Sequence, residues 1–281
     1  MKIRQLRNAS VLITLGEHRL LVDPMLSAPG SLPGFKLFGG DRRRNPLVAL
    51  PADAAETTAQ ATDVLIPHEH PDHLDVAAIE WIKTRRLPVW AAEVDVLNLK
   101  NKGIDARTIL DGALGLAVEV IPAQHGHGVL GWLMGPVSGF YLAHEQEPSL
   151  YITGDSVMTA RVREAIARLE PELIIAPAGA ANFGSGRELI FSTDELVEIV
   201  KLSTGNVLFN HLEAIDHCPI TRLALRQRMD DAGVGERVFI PSDGQWLEFT
   251  RSSTTPHAIP GPSTSRRPGF QKWLTTKFAG T

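Results

Sequence analysis

A single cysteine, Cys218, stands in the 281 residues, so no intramolecular disulfide is available and the fold must rest on a packed core. No run of about eighteen uninterrupted apolar residues occurs, which excludes a membrane-spanning helix on length. The opening MKIRQLRNAS lacks the apolar stretch of a signal peptide, and a cytoplasmic location is expected. A basic excess is also lacking: 28 Lys and Arg against 32 Asp and Glu give a formal charge of -4, which offers no field for a polyanion. The partner expected is therefore a small-molecule substrate, with no nucleic acid and no membrane. Base rates add a homo-oligomer. No internal repeat is visible.

What the chain has is apolar material, 43% of its residues, enough for one sizeable core. SVLITLGEHRLLVDP reads as a hairpin around Gly16-Glu17. Residues 27–51 lose all periodicity, and their scattered Leu and Phe side chains suggest a packed functional loop, a candidate substrate lid. Strand and helix then alternate: strand 63–67, helix 75–86, strand 88–92, helix 93–102. LAVEVIPAQ, GVLGWLMG, SGFYLAH and SLYITGD read as four strands. They are followed by helix 158–169, a buried strand LIIAPAG, and a helix opened by the capping box Ser192 and Glu195. Strand NVLFN, helix 220–232 and strand RVFIP complete an α/β domain expected over residues 1–251. Residues 252–281 are rich in Ser, Thr and Pro and read as a tail, with a short anchoring segment around Trp273 that is available to dock on a neighbouring copy.

The densest chemistry is HEHPDHLD, residues 68–75, directly after a strand. His68 and His70 are two apart and can point the same way, while Asp72 and His73 sit on the turn into the next helix. One loop can thus supply two ligand pairs. His125, Asp155 and His211 each follow a strand, and strand ends converge on one rim of a sheet. AQHGHG offers His127 as an alternative to His125, which lies nearer its strand. Asp75, Asp23 and Glu69 are candidates to orient ligand imidazoles, with Asp75 also a natural helix cap. His217 can reach a substrate at the same rim or serve as a loop histidine. Arg42, Arg43 and Arg44 form either a solvated run or a fork for an anion. Phe35, Phe38 and Phe183 can wall a pocket or anchor loops.

His68-Glu69-His70-Pro71-Asp72-His73 resembles the H-x-H-x-D-H motif of the metallo-β-lactamase superfamily, and LLVDP, TGD at Asp155 and the histidine after NVLFN follow in that family's order. The resemblance implies a four-layer αββα sandwich with a dinuclear centre at one edge between two sheets. His68, His70 and His125 would hold one ion, Asp72, His73 and His211 the other, and Asp155 would bridge both. Zinc suits these ligands; manganese or iron also fit. ITGDS and NHLEAIDHCPITR look most like the branch of ascorbate-6-phosphate lactonase. Pro67 stands where many members carry threonine. The implied activity is metal-dependent hydrolysis of a small ester-like bond, such as a lactone of an anionic metabolite, with the ions activating a shared water. Asp72 would orient that water, and His217 would hand a proton to the leaving group. The alternatives are a phosphodiesterase or nuclease of the same fold and a non-catalytic metal-binding regulator.

Overall fold

A computed structural model describes residues 1–184 and 187–251. The first half of the chain builds a seven-stranded sheet: β1 (Lys2–Arg7), β2 (Ser10–Leu15), β3 (His18–Val22), β4 (Asp63–Ile66), β5 (Val89–Ala91) and β6 (Ala106–Thr108), closed beside β1 by β13 (Trp246–Glu248). α1 (Ala54–Thr58), α2 (Val76–Arg85) and α3 (Glu93–Asn101) lie between its strands. The second sheet runs β12-β11-β10-β9-β8-β7. Its strands are β7 (Ala117–Gln124), β8 (Pro136–Ala143), β9 (Leu150–Ile152), β10 (Leu173–Pro177), β11 (Asn206–Asn210) and β12 (Val238–Phe239), interleaved with α4 (Gly128–Leu133), α5 (Ala160–Leu169), α6 (Thr193–Leu202) and α7 (Arg222–Asp231).

Period-two alternation sorts the side chains into layers. Along β2, Val11 and Ile13 join Phe140, Ile152, Ile175 and Leu208 between the sheets, while Leu12 faces Ala78, Ile82 and Leu99 of the outer helices. On the far side Tyr151, Ile174 and Phe209 pack on Val162, Leu196 and Leu225. The order is therefore helices, sheet, sheet, helices, the four-layer arrangement expected. Truncating a core residue such as Phe140, with 0% exposure, would cost about 3–5 kcal/mol.

The parallel ladders β3-β4-β5-β6 and β9-β10-β11-β12 set their carboxyl ends along one edge. Helix starts are fixed locally: Asp75, Thr159 and Thr221 each accept a backbone N–H at an N-terminus, and Ser192 with Glu195 forms the expected capping box.

One expected strand is absent. GVLGWLMG forms α4, because β7 pairs with β8 as far as Gln124 and Pro136, so residues 125–135 only bridge that hairpin. Its apolar residues are instead exposed, Trp132 at 80%. β1, β6, β13 and the short α1 were not expected. The tail from 252, with the anchoring segment expected around Trp273, lies outside the described residues. Among the described residues no helix is long and apolar enough to cross a membrane.

Candidate metal centre

His68, His70, Asp72 and His73 lie on the loop after β4, His125 and His211 directly follow β7 and β11, and Asp155 stands a short way past β9, while His217 lies farther along the chain after β11. The loop after β4 is short because His70 O accepts from both His73 N and Leu74 N at 2.9 Å, turning the chain before α2 begins. That turn divides the motif. His68, His70 and His125 form one group of potential ligand atoms, and Asp72, His73, Asp155 and His211 form another. Within each group the atoms lie within 4.8 Å of one another.

Asp155 stands between the groups. Its Oδ2 is 3.2 Å from His73 Nε2, 3.5 Å from His125 Nε2, 3.6 Å from His211 Nε2 and 3.8 Å from His68 Nε2. Asp72 Oδ2 approaches His211 Nε2 at 3.2 Å and His73 Nε2 at 3.6 Å. Six of the seven side chains are buried, with His70 half-buried. His127 does not join them: it is more than a third exposed and its nearest carboxylate is Glu195, at 3.9 Å.

The residues fit a divalent cation. Both ring nitrogens of His68 are buried without a hydrogen-bond partner, and His73 Nε2 and His211 Nε2 face each other at 3.2 Å. Such an arrangement of inward nitrogens and carboxylates is costly unless a positive charge lies among them. Burial pushes His68 well below the usual imidazole range and His125 to about 4, leaving neutral rings with free lone pairs. Burial acts in the same direction on His73 and His211. There, carboxylates led by Asp155 outweigh it and raise both well above that range. Burial likewise opposes charge on Asp72 and Asp155, yet His73 and His211 hold both carboxyls well below the ordinary value.

The outer nitrogens are oriented from behind. His125 Nδ1 meets Leu189 O at 2.9 Å, and His211 Nδ1 meets Cys218 Sγ at 3.4 Å. His73 Nδ1 lies 3.1 Å from Asp23 Oδ1, the carboxylate behind that ring. Burial raises the Asp23 carboxyl to about 6 against the opposing pull of His73. Asp23 thus takes the outer position expected for it. Asp75 does not: its oxygens accept from Ala78 N at 2.8 Å and Ser27 N at 2.7 Å, the role of a cap. Glu69 pairs with Lys102.

Asn8 was not foreseen. Its buried side chain donates to Asp72 O at 3.1 Å and its carbonyl accepts from His211 N at 2.9 Å, tying together backbone on both sides of the centre. His211 itself sits at φ 60°, a left-handed backbone that this anchor helps to hold. No local sequence pattern marks Asn8, because β1 before it carries weak alternation and its partners are remote in the chain. His217 is buried, with Nδ1 unpartnered, and Phe35 meets its ring edge-on at a centroid distance of 5.3 Å.

Comparison with known proteins gives a consistent result. Residues 18–211 match the family described as Beta-lactamase superfamily domain. UPF0173 protein YddR of Bacillus subtilis is 27% identical over 254 residues, covering 89% of this chain and all of that protein. A UPF0173 metal-dependent hydrolase of Pyrobaculum aerophilum is 27% identical over 205 residues, 70% of this chain and 80% of its own length. Among solved structures, the isothiocyanate hydrolase from Delia radicum gut bacteria superposes with a TM-score of 0.82 at 28% identity, covering 89% of this chain and 100% of that one.

Proposed function

The chain belongs to the β-lactamase superfamily domain family, and from that premise we propose that it is a metal-dependent hydrolase acting on a small molecule through a two-ion centre. The observation that carries this reading is the meeting of His68, His70, Asp72, His73, His125, Asp155 and His211 in two adjoining groups around Asp155 Oδ2. The printed name of the Pyrobaculum relative also supports metal-dependent hydrolysis.

His68, His70 and His125 would hold one ion, Asp72, His73 and His211 the other, with Asp155 shared. When bound, such ions lower the pKa of water toward about 7 and polarise a substrate atom; zinc suits the donors, with manganese or iron as alternatives. Asp72 orients the attacking water and accepts its proton. His217, whose pKa burial lowers, is a neutral imidazole at neutral pH and relays a proton to the leaving atom. Leu189 O and Asp23 keep the ligand rings aimed inward.

The substrate is a compact electrophilic carbon centre. The sequence resemblance to the ascorbate-6-phosphate lactonase branch favours a lactone or ester. Similarity to the isothiocyanate hydrolase favours a second substrate, R–N=C=S, to which water adds at carbon before the N–C bond breaks to give an amine and carbonyl sulfide. Arg42 Nε donates to Gly34 O and Arg44 Nε to Gly30 O, so these two guanidinium groups brace their own loop. Phosphodiester hydrolysis would use the same ligands.

The test is a panel of lactones, carboxylic esters, isothiocyanates and phosphodiesters, run on metal-loaded and chelator-stripped protein. Metal-dependent turnover of a lactone, ester or isothiocyanate is expected. Turnover of phosphodiesters alone would replace this reading with the phosphodiesterase, and silence across the panel with metal bound would favour a non-catalytic regulator.

A further inference from the structure

The loop of residues 27–51 has the composition of a lid but the bonding of a fixed wall. Leu32 and Asn45 close its base through two backbone hydrogen bonds, Leu32 N to Asn45 O at 2.7 Å and Asn45 N to Leu32 O at 2.9 Å. At its centre lies a carboxylate from far along the chain. Asp216 Oδ1 accepts from Phe35 N at 2.8 Å and Asn45 Nδ2 at 3.0 Å. Oδ2 accepts from Arg43 N at 3.3 Å and Lys36 N at 3.4 Å, and Asp216 N donates to Asn45 Oδ1 at 2.9 Å. The Asp216 side chain has 0% exposure, so the backbone N–H groups of the loop take the place of water around it.

Two further observations show how tightly the carboxylate is enclosed and what it holds in place. A Cβ on Gly34 would lie 2.7 Å from Asp216 Oδ2 and 2.5 Å from Arg43 O, so only glycine lets the loop close on this group. The next residue along the chain from Asp216 is His217, whose electrostatic neighbours include Asp72, His211 and Asp155. Phe35 packs on the His217 ring, and Leu32, Phe35, Phe183 and Leu130 join Leu189, the residue that holds His125, in one apolar cluster.

We propose that Asp216 is a positioning residue that latches residues 32–45 as a fixed wall of the metal centre, and that Phe35 on this wall selects substrates carrying an apolar group. The latch stands on the hydrogen bonds alone; the selection rests on the hydrolase reading above. Held by these seven hydrogen bonds, counting the two at its base, the segment presents Phe35 in one place. A mobile lid would not.

The test uses the metal-loaded full chain and the variants Asp216→Ala, Asp216→Asn, Gly34→Ala and Phe35→Ala, each checked for unchanged metal content. Trypsin reports on the wall at Arg42, Arg43 and Arg44. Cleavage there is expected to accelerate by about tenfold or more in Asp216→Ala and Gly34→Ala, less in Asp216→Asn, and to stay at the wild-type rate in Phe35→Ala. Kinetics report on selection, with benzyl and methyl isothiocyanate as one pair and γ-butyrolactone with and without a benzyl substituent as the other. Phe35→Ala should raise KM for the benzyl member by about tenfold, with kcat within about threefold and the smaller member unaffected. Asp216→Ala should reproduce that KM change, which a residue serving only stability would not.

Wild-type protection of the segment in both Asp216→Ala and Gly34→Ala would overturn the latch. Equal effects of Phe35→Ala on both members of a pair would overturn the selection. If wild-type protein hydrolyses neither pair, the hydrolase reading and the selection fall together, while the tryptic result still decides the latch.

Discussion

His68, His70 and His125 meet as imidazoles only, whereas His73 and His211 meet around the carboxylates of Asp72 and Asp155. The residues are of similar type and the depth is similar, yet their charge states separate. In the imidazole half burial governs, and His68 and His125 are neutral. In the carboxylate half the same burial is outweighed by Asp155 and its neighbours, and His73 and His211 hold protons. His68 and His125 can accept an ion as they stand; His73 and His211 must exchange protons for one. Desolvation alone therefore does not determine the state of a buried histidine: His73 meets Asp23, Asp72 and Asp155 and His211 meets Asp72 and Asp155, whereas His68 and His125 meet Asp155 alone.

The change that most completely erases this contrast is Asp155→Ala, which removes the group shared by both halves. With ion-based stabilisation worth several kcal/mol, turnover should fall by about 10³-fold or more while the fold persists. Metal content and circular dichroism on the same preparation check both statements. His70→Ala should likewise abolish turnover, but with loss confined to the imidazole half.

Changing pH sharpens the contrast. Protons on His73 and His211, whose values are raised, compete with an ion, so affinity of the carboxylate half should fall as pH falls, by about tenfold per pH unit for each proton displaced. His68, held well below the usual imidazole range, and His125 at about 4 offer no such competition between pH 8 and 6, so the affinity of the imidazole half should fall less steeply. Calorimetric titration in buffers of different ionisation heat should register the larger proton release from the carboxylate half.

Smaller effects come from the groups behind the ligands. Asp23→Asn and Cys218→Ala should each weaken the carboxylate half by about 10- to 100-fold, since each supports an imidazole of that half. Asp75→Ala is the control outside the comparison: loss of the α2 cap should cost about 1 kcal/mol in thermal or denaturant unfolding and leave ion content unchanged.

The imidazole half and the carboxylate half were both legible in the sequence. His68 to His73 lie in one short loop after an apolar strand, and His125, Asp155 and His211 each follow a strand, so edge convergence could be read directly. All the described strands but β1, β6 and β13 were visible as alternating or apolar runs bounded by turns. What supports the site was hidden, because hydrogen bonds such as Asn8 to Asp72 and Asp216 to Phe35 join segments with no shared local pattern. α4 was misread because VLGWL is apolar, and apolar content alone does not distinguish an exposed helical bridge from a strand. Residues 27–51 gave the signal of a functional loop but not of a latched one.

The central claim is that two unlike half-sites act as one hydrolytic centre. Stepwise reloading of chelator-stripped protein, with bound ions and turnover of the best panel substrate measured on the same samples, tests it most directly. The account predicts two ions per chain and turnover that rises with the second. Full turnover at one ion per chain, or in the stripped protein, would contradict it.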